Sequence, residues 1–246
     1  MFRQVFQFPL LSRRHLKPVG LVVCLLSFAS GCGLANQGLN SKGVQYFQQG
    51  RHQEALRTFE EVVTNDPLNT DGHYNLAATY HRLALEKQDS KLLAQSEQLY
   101  RQCLHLDSNN ADGYRGLAVL MMQSGRREQA YQLLEDWASK APGSAEPQVE
   151  LARLYDEGDQ LDEAELHLQK ALSVDSNNPR AWTALAHLRE RDGDMQNALA
   201  HYQRSYILDN RQPLVATRIA SINRSLRLDQ DGSRTRMVDA GDEFVR

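Results

Sequence analysis

The sequence predicts an all-α protein: an α-solenoid of about five helix-turn-helix repeats plus a C-terminal capping helix. Three observations carry this. First, alanines recur at a fixed distance: Ala130, Ala164 and Ala198 are 34 residues apart, and Ala55 lies two such periods plus seven residues before Ala130, with Ser96 at the intervening place. Self-similarity at such a period is the mark of a repeat architecture. Second, each period holds two stretches with apolar residues three and four apart, the spacing of an amphipathic helix. A glycine sits between the two stretches at Gly50, Gly125, Gly158 and Gly193, where a helix can end in a left-handed residue. Third, each period closes on breakers and caps: DPLN, DSNN, APGS, DSNN and LDNRQ.

Residues 1–31 read as an address. Arg3, Arg13, Arg14 and Lys17 precede the apolar run VGLVVCLLSF and the small residues ASGCG, the order of a secretory signal peptide. The apolar run is about half of what a bilayer-spanning helix needs. The sequence Ala29-Ser30-Gly31-Cys32 resembles the lipobox of bacterial lipoproteins, although that motif has Leu where this chain has Ala29. The resemblance implies cleavage before Cys32 and acyl chains on Cys32. The alternative is simple secretion, with cleavage after Ala29, since Ser27 and Ala29 also form a small-x-small site. The expected setting is therefore an exported protein held to the outer or inner membrane on its periplasmic side, or a soluble periplasmic or secreted one.

The repeats are placed at 36–69, 70–110, 111–144, 145–178 and 179–212, one array over 36–212. Four residues after each small residue comes a bulky one: Phe59, Tyr100, Leu134, Leu168 and Tyr202. The seven extra residues fall in the second repeat, where Tyr80 to Leu85 can prolong the first helix and Asp89-Ser90 reads as the start of the next. Asn178-Pro179 is a cap followed by a first-turn proline. Residues 213–228 read as the capping helix such arrays need. Residues 229–246 are polar, with little periodicity, and are expected to be disordered.

The phrases Leu76-Ala77-Ala78-Thr79-Tyr80, Leu151-Ala152-Arg153-Leu154-Tyr155 and Trp182-Thr183-Ala184-Leu185-Ala186 resemble the opening of the tetratricopeptide repeat, W-x-x-L-G-x-x-Y. With the later Gly, Ala, Phe and Pro places the resemblance spans about 175 residues. It suggests a bacterial tetratricopeptide-repeat lipoprotein.

Enzyme chemistry is not expected. There is no Gly-rich phosphate loop, G-x-S-x-G elbow or H-E-x-x-H pair, so no cofactor, metal or catalytic residue is assigned. Glu150, Asp156, Glu157 and Asp159 form an acidic cluster without the rest of an acid–base site. Cys103 takes a small-residue packing place. The formal charge is −3, and setting aside the basic segment 1–31 leaves −7 with no basic block, which argues against a nucleic-acid partner.

The resemblance implies a non-catalytic scaffold or adaptor at the bacterial cell envelope, binding a peptide or protein segment in a concave groove lined by the first helix of each repeat. Carried over position by position, the groove residues are Phe47, Tyr74, Asn75, His81, Arg82, Arg115, Met122, Arg153, His187 and Arg191. The alternative is a recruiting subunit of an envelope enzyme or of a secretion or pilus assembly complex. The expected partners are a protein or peptide, and a membrane through the lipid anchor.

Overall fold

The computed structural model describes the backbone of residues 30–242 and the side chains of residues 36–227. The part of the expected signal segment upstream of Ser30 lies outside them. The described residues are all-α, as the periodicity requires, and form two compact units that divide between Leu133 and Leu134.

In the first unit α1 (Ser30–Gln48) pairs with α2 (His52–Asn65) and α3 (Thr70–Lys87) with α4 (Ser90–Leu106), followed by α5 (Ala111–Gln123). The helix α6 (Arg127–Lys140) carries the boundary between the units. In the second unit α7 (Glu146–Glu157) pairs with α8 (Leu161–Val174) and α9 (Pro179–Arg191) with α10 (Met195–Leu208), and α11 (Pro213–Asp242) packs on α10. Among the described residues no helix is long and apolar enough to cross a membrane.

The periodic small residues are where helices touch. Ala55, Ala77, Ala118, Ala130, Ala164, Ala186 and Ala198 are each 0% exposed, and beside them Phe59, Tyr100, Leu134, Leu168 and Tyr202 are buried. Ser96 keeps the small place in the second repeat and satisfies its hydroxyl by donating to the Ala77 carbonyl at 2.8 Å. Cys103 is a buried free thiol whose pKa burial pushes up to about 12, so it behaves as a small apolar side chain.

Hairpin tips are built alike. Arg51 N donates to Tyr46 O, Arg126 N to Met121 O, Gln160 N to Tyr155 O and Asp194 N to Arg189 O, the six-to-one bond of a helix end with a left-handed residue. That residue is Gly50, Gly125 and Gly193 in three tips, but Asp159, at φ 60°, in the fourth. Gly158 itself keeps φ −84°, so the turn residue lies one place after the expected glycine. Asp is one of the few L residues that visits this region at modest cost. In the second repeat the extra residues lengthen α3 to 18 residues and α4 to 17. Gln88, at φ 53°, ends α3, and Asp89 Oδ1 accepts from Lys91 N and Leu92 N to start α4.

The linkers between hairpins close on themselves. Asp66, Asp107 and Asp175 each accept at Oδ1 from the amide two residues on. The last residue of each linker, Asn69, Asn110 or Asn178, returns its own amide to that Asp carbonyl. The same asparagines then cap the next helix, accepting from Gly72, Gly113 and Ala181 N at 2.7, 2.7 and 2.9 Å.

The last helix differs from expectation. It runs from Pro213 to Asp242 rather than ending at 228, and backbone that the sequence analysis leaves disordered is helical. Residues 214–242 contain no proline, so nothing in backbone chemistry stops the helix at 228.

Candidate binding recess

The second unit contains a recess of about 350 Å³ between the first helices of its two hairpins. Its floor is apolar: Ala152 of α7, Ala164 and Leu168 of α8, and Ala184 and Leu188 of α9. The helical spacing explains the arrangement. Val149, Ala152, Arg153 and Asp156 lie three, one and three residues apart on one face of α7, and Arg180, Thr183, Ala184 and His187 do the same on α9. Small residues at 152, 164 and 184 leave the space; large ones would fill it.

The rim is charged and internally paired. Glu150, 0% exposed, accepts from Arg153 Nε at 3.1 Å and also from Arg180. Arg180 reaches Glu146 as well, and Arg153 reaches Glu157. Buried carboxylates are tolerated only when paired in this way. Arg153 keeps one buried donor, Nη2, without an acceptor. On the other side Asp156 lies 3.5 Å from His187 Nδ1 and is paired with Arg191, which also holds Asp159 at 2.5 Å. Burial pushes the Asp156 carboxyl up, but His187 and Arg191 outweigh it and hold the group below the usual range. At one end Gln212 donates to the Ser205 hydroxyl at 3.0 Å and accepts from Thr183 at 3.2 Å.

The sequence-derived groove set divides. Arg153 and His187 line the recess, and Arg191 joins them through Asp156. In the first unit three residues are core. Tyr74, 1% exposed, packs on Tyr100 with ring centroids 6.0 Å apart. Asn75, 0% exposed, donates to Asn40 Oδ1 at 3.0 Å. His81, also 0% exposed, bonds Gln123 at 2.9 Å and lies edge-on to Tyr100, and burial takes its pKa down to about 4. The reason is that α3 is packed on by α1, α2, α4 and α5, which cover Tyr74, Asn75 and His81 while leaving Arg82 part-exposed. Phe47 is half-buried against the Ala55–Phe59–Leu76 cluster and meets His52 edge-on at 5.0 Å. Arg82 pairs with Glu86 at 3.0 Å and Arg115 with Asp112 at 2.8 Å. Met122 is half-buried on α5.

Arg180, Ala184 and Leu188, which also line the recess, are absent from that set. The sequence signal for them is present in part: small residues one helical turn apart on consecutive first helices leave room between them. Among the described residues no group of three or more His, Cys, Asp or Glu is placed to hold a metal ion.

Comparison with known proteins agrees with this architecture. The family described as "Tetratricopeptide repeat" matches residues 88–146, 128–188 and, in a second form, 181–214; the family described as "TPR repeat" matches 43–83. A thermophilic TPR protein of Thermus thermophilus is similar in structure, with 25% identity and a TM-score of 0.56 over 76% of this chain and 98% of that one. A tetratricopeptide repeat protein of Parabacteroides merdae has 13% identity and a TM-score of 0.57 over 78% of this chain and 75% of its own. PilF of Pseudomonas aeruginosa has 21% identity and a TM-score of 0.49 over 87% of this chain and 100% of its own. Among curated proteins no sequence matches.

Proposed function

Because this chain belongs to the tetratricopeptide-repeat proteins, we propose that it is a non-catalytic adaptor that binds a segment of another protein between α7 and α9. The observation that carries this is the recess itself: an apolar floor of small residues with a polar rim, presented by the first helices of two consecutive hairpins. Such a site favours an extended or helical segment laid along it. Its charged groups are already paired with one another, which suits recognition rather than proton transfer.

The setting we infer is the bacterial cell envelope, with the protein tethered by acyl chains on Cys32. The basic start, the apolar run and Ala29-Ser30-Gly31-Cys32 support it. Several acyl chains make a stable anchor, at about 0.8 kcal/mol for each buried methylene. Replacing Cys32→Ser is expected to abolish acyl labelling and release the protein from membranes; labelling that persists refutes the anchor.

The test of the adaptor reading is photo-crosslinking in cells. A crosslinker at Ala184 or His187 is expected to capture one defined protein. The same group at Leu166, exposed on α8 and outside the recess, is expected not to. Equal capture from both faces removes the reading.

A further inference from the structure

We propose that the segment received by the recess carries an aliphatic side chain next to Lys or Arg, so that the apolar group enters the floor and the cation meets Asp156. This rests on the adaptor reading above and narrows it. The floor residues Ala152, Ala164, Leu168, Ala184 and Leu188 are all hydrocarbon, and a recess of about 350 Å³ is at the small end of ligand sites. It takes side chains, not a folded domain.

Charge decides the rest. Around the recess stand the carboxylates of Glu146, Glu150, Asp156, Glu157 and Asp159, against the guanidiniums of Arg153, Arg180 and Arg191. Carboxylates are in excess by two. Every one of those arginines already serves two carboxylates, so an acidic ligand would have to displace existing pairs. A ligand cation only adds to oxygens with lone pairs to spare. Asp156 is the carboxylate among the recess-lining residues. The wider field points the same way: beyond residue 31 the chain carries −7, which steers a cationic segment inward.

The experiment is selection of short random peptides displayed on phage against the purified full-length protein, followed by affinity measurement of synthetic copies. The expected result is enrichment of Leu, Ile or Val beside Lys or Arg. Binding should be lost in Ala184→Arg, which fills the floor, and weakened about tenfold in Asp156→Asn, a change of about 1.4 kcal/mol. Arg191→Gln, which uncovers Asp156, should strengthen it, and added salt should weaken it. Far-UV circular dichroism and melting temperature check that each variant is folded. Peptides lost on Ala184→Arg but acidic or uncharged, and indifferent to Asp156→Asn, overturn this inference and leave the adaptor reading intact. Peptides that survive Ala184→Arg, or no selected peptides, overturn both.

Discussion

Gly116→Ala should destabilise the protein although it places the best helix former in a helix. Gly116 lies within α5, where glycine ordinarily costs about 1 kcal/mol relative to alanine. A methyl group there, however, meets Tyr100 Cε1 at 2.3 Å, Cζ at 2.5 Å and Oη at 2.8 Å. Carbon atoms in contact prefer about 3.5–4.0 Å, so more than 1 Å must be found. The ring has nowhere to go: Tyr100 is 0% exposed, with Tyr74 at 6.0 Å and His81 at 6.2 Å between centroids. Overpacking of this kind costs about 1–3 kcal/mol and sometimes more. A clash with ring carbons rather than a flexible chain end belongs at the top of that range, so the net loss is about 2 kcal/mol after the helix gain. Urea unfolding followed by circular dichroism measures it. Gly38→Ala, with nothing within 4 Å, is the matched control and should gain up to about 1 kcal/mol. In a double-mutant cycle Tyr100→Leu should remove most of the cost of Gly116→Ala. If Gly116→Ala is as stable as the parent, the close approach of α5 to Tyr100 is not as described.

Three further outcomes follow. His81 falls from 6.5 to about 4 on folding, so between those values the unfolded chain holds more protons. Stability is therefore full above 6.5 and lost as pH drops toward 4, by up to about 1.4 kcal/mol per pH unit; His81→Gln should flatten the slope between pH 6.5 and 5 in chemical denaturation. Glu150→Ala removes a fully buried carboxylate held by two arginines and should cost about 2–3 kcal/mol, whereas Arg191→Ala breaks surface pairs and should cost under about 1 kcal/mol by the same measurement. Asp159→Gly relieves a left-handed aspartate at φ 60° and should raise stability by about 0.5–1 kcal/mol in thermal melts.

The period is legible because helix pairs touch at fixed places, and only small residues fit there. Ala164 and Ala198 are readable for that reason, and Ser96 is readable as their stand-in. Sequence reasoning misassigns Tyr74, Asn75 and His81 to the groove because a repeat position gives the direction of a side chain, not what other helices lay over it. Four helices surround α3, and no residue of α3 announces that. Arg180 escapes it because its importance comes from Glu150, 30 residues away, a pairing that no local pattern encodes. The shift of the turn from Gly158 to Asp159 is equally silent, since both residues can take the left-handed place.

The self-contained joints Asp66–Asn69, Asp107–Asn110 and Asp175–Asn178 have a consequence for how such a chain changes size. Their main-chain bonds to other main chain reach no further than the two helices they join, as when Asp66 N donates to Val62 O and Asn69 O accepts from His73 N, so the count of hairpins is written into none of them. Copying or deleting a whole unit leaves every surviving joint as it was. Additions of any other length have to be absorbed at a hairpin tip, and that is where the seven extra residues reside: about two helical turns, shared between α3 and α4 on either side of Gln88.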